Sequence, residues 1–232
     1  MNSDSPAEII QAARQLLSGR FQGVLSTHSQ EHNGYPFGSL VPYSIDRNGW
    51  PLLLLSHLAK HTGNLRADRR CSLTVVEQGN GDTQQLTRLI CLADAYPVDP
   101  VTDALQKRHF RYFPESRIYY QELGFHFFGL RPVRFYCVSG FGAARWIDID
   151  RMTINRFTLS QEDELLAPIN RHVSENVPKG GTSQTVAIGV DPWGLDLLRG
   201  ERLYRFEFPE VPVSLEDIPQ AVEHCLANRQ IP

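Results

Sequence analysis

LLLLSHLAKHTGNLRAD, residues 52–68, changes character in its middle. Leu52 to Leu55 is an unbroken apolar run, as expected of a strand buried on both faces. At Ser56 the pattern turns helical, and the new helix begins among cations. His57, Lys60, His61 and Arg66 all precede the first acid of the stretch, Asp68. A helix N-terminus carries roughly half a positive charge, so carboxylates are its expected company. Its unsatisfied N–H groups and its dipole together form an anion site. Lys60 and His61 add charge there, and Ser56 and Thr62 add hydroxyl donors, which predicts a cradle for a phosphate or carboxylate. The competing reading is local: Ser56 or Thr62 caps the helix and the long side chains reach water.

Strands surround this element. Phe21–His28, Gly38–Ile45 and Pro51–Ser56 precede the helix, with Asn48-Gly49 as a tight hairpin turn before the third. Cys71–Gln78 and Leu86–Val98 follow it. Hairpin-linked strands of this length with one inserted helix predict an antiparallel barrel, closed or nearly so. Upstream, Ser5-Pro6-Ala7-Glu8 has the pattern of a capping box with proline at the first helical position. Ile9, Ile10, Ala13, Leu16 and Leu17 then recur at helical spacing, and Gly19 is the expected end. Helical spacing returns from about Asp99 to Gln121, and Phe125–Val138 reads as another strand. A boundary is expected near Asp148–Thr158, dividing a barrel domain (1–150) from a small α+β domain (151–232). The second domain reads as a helix over 161–175, a Gly-rich connection over 178–182, two strands either side of Asp191-Pro192-Trp193-Gly194, and a last helix over 215–227.

The chain of 232 residues has a formal net charge of −3, so any anion site is local, and no general attraction to nucleic acid follows. MNSDSPAEII has no basic, then apolar, leader pattern, and no apolar run reaches the ~20 residues of a membrane span. Four scattered cysteines (Cys71, Cys91, Cys137, Cys225) have no metal-ligand spacing. These features predict a cytoplasmic protein with reduced cysteines and no membrane partner.

The helix start and the strand after it resemble the HugZ-type heme-utilisation proteins, within the pyridoxamine 5′-phosphate oxidase-like split-barrel flavoproteins. The pattern S-x-L-A-x-H-T-x-N-L is met by Ser56, Leu58, Ala59, His61, Thr62, Asn64 and Leu65. D-x-R-x-S-L is met by Asp68, Arg70, Ser72 and Leu73. GVLSTHS, GYPFGSLVPYSID, RLICLADA and SGFGAARWI extend the likeness over Ala12–Ile147. The resemblance implies an α+β fold, an antiparallel split β-barrel with a small C-terminal α+β domain. It also implies a homodimer with the cofactor, FMN or heme, between subunits. Ser56, Lys60, His61 and Thr62 then fall at the cofactor phosphate, and Arg88 where the oxidases face a polar residue to the flavin. The chain departs from the pattern at Ala93, where relatives have a glycine that lets a ring approach, and at Ala143, where Arg commonly follows Gly-Phe-Gly. Its extra domain stands in place of an Arg-rich oxidase terminus, which argues against pyridoxamine phosphate oxidase activity.

Of eight histidines, none forms a HxH or HExxH pair, so no dedicated metal site is read from the sequence. A heme needs only one accessible imidazole beside an apolar pocket. The resemblance places that ligand near the C-terminus, at His224 in preference to His172. Two functions follow. One is a dimeric oxidoreductase, using FMN for electron transfer or opening heme oxidatively to release iron. The other is a non-catalytic heme or flavin carrier, or an adaptor for a tetrapyrrole-pathway enzyme.

Overall fold

The computed structural model describes residues 5–79, 82–140, 143–152, 157–176, 184–212 and 214–227. Helix α1 (Pro6–Arg20) opens with the expected capping box: the Glu8 N–H donates to Ser5 Oγ and the Ser5 N–H to Glu8 Oε2. Gly19 does not end it. The helix runs to Arg20, and Phe21 takes the left-handed conformation (φ 56°) while burying its ring 5.2 Å from that of Tyr112.

The strands β1 (Gln22–His28), β2 (Pro36–Pro42), β3 (Ser44–Ile45), β4 (Pro51–Ser56), β5 (Arg70–Val76), β6 (Arg88–Pro97), β7 (Phe125–Ser139) and β8 (Ala143–Ile147) form one antiparallel sheet. Its order is β2-β1-β5-β6-β7-β4-β3, with β8 on β7. The two ends of that path, β2 and β3, are separated in sequence by Tyr43 alone. Tyr43 is fully buried, and its hydroxyl donates to the Leu17 carbonyl at 2.7 Å. The sheet thus curls until its ends meet at one tyrosine, a split rather than closed barrel. The strand read over 38–45 is accordingly divided at Pro42-Tyr43. Inside, Leu25, Leu73, Leu89, Leu130 and Phe135 pack against Ile9, Ala13, Leu16 and Leu17 of α1.

The apolar run that opens the decisive stretch is β4, buried on both faces as its composition requires. Leu53 and Leu55 enter the barrel core, while Leu52 and Leu54 pack on Phe110 and Phe127 outside it. Phe110 belongs to α3 (Asp103–Tyr112), and α4 (Ser116–Glu122) follows. The single helix expected over 99–121 is therefore two, interrupted at Pro114, whose ring and missing N–H oppose continuation.

Beyond the barrel, β9 (Thr185–Asp191), β10 (Gly194–Arg199) and β11 (Arg202–Glu207) form a second antiparallel sheet with β10 central. The sequence reading had two strands here. The middle one carries Asp196, a residue type disfavoured in strands, which is buried because Tyr112 and Arg205 pair with it. Helices α5 (Leu159–Asn176) and α6 (Ile218–Ala227) share one core with this sheet. A second cluster joins Phe21, Tyr112 and Ile188, with Val186, Leu198 and Leu203 packed against it. The Gly-rich connection read over 178–182, and Phe141-Gly142 of the Gly-Phe-Gly turn, lie outside the described residues.

Buried ions tie α3 to this second unit. Arg108 donates to Glu162 at 3.1 Å and to the Ile45 carbonyl, and Arg111 donates to Glu162 and to Asp163, each at 3.0 Å. The Tyr112 hydroxyl donates to Asp196 at 2.7 Å, and Arg205 bridges Asp196 and Asp191. Two carboxylates share one guanidinium in a desolvated site, and burial raises the Asp196 carboxyl to about 6. Among the described residues, no helix is long and apolar enough to cross a membrane.

Candidate functional site

The turn from β4 into α2 (Lys60–Ala67) engages most of the groups that the sequence pattern offers to an anion. Thr62 is fully buried, and its hydroxyl donates to the Ser56 carbonyl at 2.6 Å, so it shapes the turn and presents no donor to a ligand. Ser56 Oγ accepts from the Leu58 N–H at 3.3 Å. The Lys60 ammonium pairs with Glu31 on the β1–β2 loop. That carboxylate is the counter-ion that the cationic helix start lacks in local sequence. His57 is no part of a cradle: its N–H and its Nδ1 both meet the Gly124 carbonyl, at 3.2 and 2.8 Å. Among the described residues, the Lys60 and His61 N–H groups have no main-chain acceptor.

His61 turns the other way, into a cleft of about 910 Å³ between the barrel, the α3–α4 corner and the β10–β11 hairpin. Its Nδ1 lies 3.1 Å from Ser39 Oγ, and partial burial holds its pKa below the ordinary 6.5. The walls are mostly apolar: Leu40, Leu54, Phe113, Phe125, Leu198 and Leu203. Glu115 and Glu201 also line the cleft, and both are exposed.

His109, which the sequence reading did not single out, lines the same cleft. Its Nδ1 lies 2.9 Å from Ser44 Oγ, and its ring meets Phe127 edge-on at 5.0 Å. Burial, with the Arg108 guanidinium beside it, lowers its pKa to about 3, so this imidazole is neutral. The signal in sequence was faint. His109 sits among aromatic and basic residues in RHFRYF, where only the tertiary contact with Ser44, 65 residues away, distinguishes it.

The remaining predicted residues lie elsewhere in the chain. Arg88 opens β6 opposite Val138, whereas the Ser56 end of β4 faces Phe125 at the other end of β7. Its guanidinium reaches the Gln84 and Leu86 carbonyls at 3.5 Å. His172 is half-buried on α5, and His224 is exposed on α6 beside a hollow of about 420 Å³. Neither lines the larger cleft.

The family description "CREG, beta-barrel" matches residues 5–153, more than half of the chain and the whole curled sheet. The chain belongs to the CREG β-barrel family. Within this CREG barrel, most of the pattern that carries the resemblance holds the fold together. Asn64 bridges α2 to β1, donating to Thr27 Oγ1 and accepting from the Gln30 N–H, both at 3.0 Å. Asp68 forms a two-point ion pair with Arg70. Ala93, one of the chain's departures from that pattern, is buried in the barrel core.

Relatives of the CREG barrel extend the comparison. The chain is 46% identical over 71 residues to the non-canonical heme oxygenase HOZ, chloroplastic, of Arabidopsis thaliana. That match covers 31% of this chain and 21% of HOZ, so the chain spans about a fifth of that relative's length. A protein of unknown function from Agrobacterium tumefaciens superposes with a TM-score of 0.72 at 21% identity, over 97% of both chains. A heme binding protein from Mycobacterium smegmatis gives 0.57 at 21% identity, again over 97% of both. These superpositions show a shared fold, barrel and appended unit together.

Proposed function

We propose that this protein binds heme in the cleft at His61 and acts in heme utilisation, opening the macrocycle oxidatively when a reductant is supplied. The observation that carries the reading is an imidazole, held by Ser39, on the wall of an apolar cleft. Ser39 engages Nδ1, which leaves Nε2 as the nitrogen for a metal and fixes the ring as a supporting hydrogen bond does in metal sites. A volume of about 910 Å³ suits a cofactor-sized ligand. Bound heme would supply iron for oxygen chemistry. The chain's own part is to favour the unprotonated His61 through burial, keep water from the apolar walls, and orient the ligand. Glu115 and Glu201 repel carboxylates, so the anionic edge of a ligand is directed toward the α2 start. The names of HOZ and of the mycobacterial neighbour support a heme-linked role.

FMN is the second reading, favoured by the unengaged Lys60 and His61 N–H groups at the α2 start. The α2 cradle fits it less well, since Thr62 and the Lys60 ammonium are already engaged within the chain. His224, beside its own hollow, is the alternative axial ligand. The spectrum of freshly purified protein separates the two cofactors: a Soret band supports heme, and flavin maxima overturn it. Hemin bound without macrocycle loss under ascorbate would make the protein a carrier instead of an enzyme.

A homodimer accompanies this reading. Leu40, Val24, Thr74, Ile90, Tyr136 and Trp146 are cross-strand neighbours along β2-β1-β5-β6-β7-β8, one row on the outer face of the sheet. Leu40 is 71% exposed, Trp146 48% and Val24 41%. An exposed row that is apolar at every position but Thr74 has the character of a protein interface.

A further inference from the structure

A second concavity lies beyond the far end of α2, separate from the His61 cleft and unused by the proposal above. It is a hollow of about 810 Å³ between the end of α2, the exit of β6 and the start of β7. Leu65, Phe127 and Phe128 contribute buried apolar surface to it, with the Tyr120 ring packed on Phe127 at 5.2 Å. Tyr96 lines it from β6 and is held there by two neighbours. A Cβ on residue 129 would overlap its ring, so only glycine admits it, and Arg131 lies over its face at 5.5 Å.

The rim is cationic where α2 ends. Arg66 has no carboxylate partner among the described residues. Arg69 meets Asp94 at 3.4 Å with its side chain 72% exposed, a weak pairing that leaves donors open. His126 lines the same hollow. The bland account of Arg66 is a cation stabilising a helix C-terminus. That account does not explain Arg69, which follows the helix, or the aromatic surface that both arginines border. Asp99, on the β6 exit, repels an anion, so the head of a ligand is directed to the Arg66–Arg69 side.

We propose that this hollow is a second ligand site, for a small apolar organic anion: an aromatic or aliphatic body lying on Tyr96, Tyr120 and Phe127, with its carboxylate or sulfonate on Arg66 and Arg69. Guanidinium groups suit such heads because they pair with them through two parallel hydrogen bonds. The probe is 1-anilinonaphthalene-8-sulfonate, titrated by fluorescence against the full chain. Arg66→Glu with Arg69→Glu, both at exposed positions, is expected to weaken it at least about tenfold, because charge-assisted bonds are lost and repulsion is added. His61→Ala is expected to leave the titration unchanged, and the uncharged analogue N-phenyl-1-naphthylamine to be insensitive to the arginine reversal. Equal sulfonate affinity in the parent and the double variant would overturn the proposal. Loss of binding in His61→Ala alone would do the same, by placing the probe in the other cleft.

Discussion

Gly189 and Tyr112 share one volume: a Cβ on residue 189 would overlap the Tyr112 hydroxyl oxygen and approach Asp196 as well. Glycine at this point of β9 is what allows the tyrosine of α3 to reach Asp196 of β10. Gly189→Ala is expected to displace Tyr112 and orphan its hydroxyl. Overpacking and an unsatisfied buried group each cost about 1–3 kcal/mol. Urea unfolding should show a loss of that order, and an unchanged midpoint would show that Tyr112 has room to move.

Glu162 is the centre of the ionic contact, accepting from Arg108 and Arg111 and from the Val190 N–H. Its side chain is 1% exposed. Glu162→Gln keeps the shape but leaves guanidinium charge buried beside a neutral amide. A loss of about 3–5 kcal/mol is expected in denaturant unfolding. A loss under ~1 kcal/mol would mean that water reaches the arginines.

His109 makes stability depend on acid. Its folded pKa of about 3 lies below its ordinary 6.5, so the unfolded chain takes up a proton that the folded chain refuses. Its stabilising contribution is complete above 6.5 and is lost as pH falls toward the folded value, by roughly 1.4 kcal/mol per pH unit. Unfolding free energies at pH 7 and pH 4.5 should differ less in His109→Gln than in the parent. Equal slopes would place the acid sensitivity elsewhere.

The outer row of the sheet carries the dimer prediction. The parent should sediment at twice the chain mass at micromolar concentration, and Leu40→Glu with Trp146→Glu should sediment as a folded monomer. A parent that is already monomeric would remove the row as an interface, since a stable one buries about 1,000 Å² or more.

What was legible in the sequence was local. The step from Leu52–Leu55 to the helical spacing after Ser56 placed β4 and α2, and Ser5 with Glu8 placed the start of α1, because neighbouring residues decide both. The charges of the opening stretch were not resolvable this way. Lys60 is balanced by Glu31, across the β1–β2 loop, and Thr62 is closed by the carbonyl of Ser56. Strand β10 is not legible because it carries Asp196, a type disfavoured in strands, whose burial depends on Arg205 and Tyr112 from other elements. His109 was missed for the same reason, its meaning lying in Ser44 and in the shape of a cleft built from three distant segments.

The central claim is that His61 holds heme, and a hemin titration followed at the Soret band tests it most directly. The parent should develop a saturable band at one heme per chain. His61→Ala should lose or shift that band and weaken binding, while His172→Ala and His224→Ala retain it. Because burial lowers the His61 pKa, the parent band should also persist to lower pH than an ordinary imidazole ligand allows. An unchanged band in His61→Ala together with its loss in His224→Ala would contradict the account and move the ligand to α6.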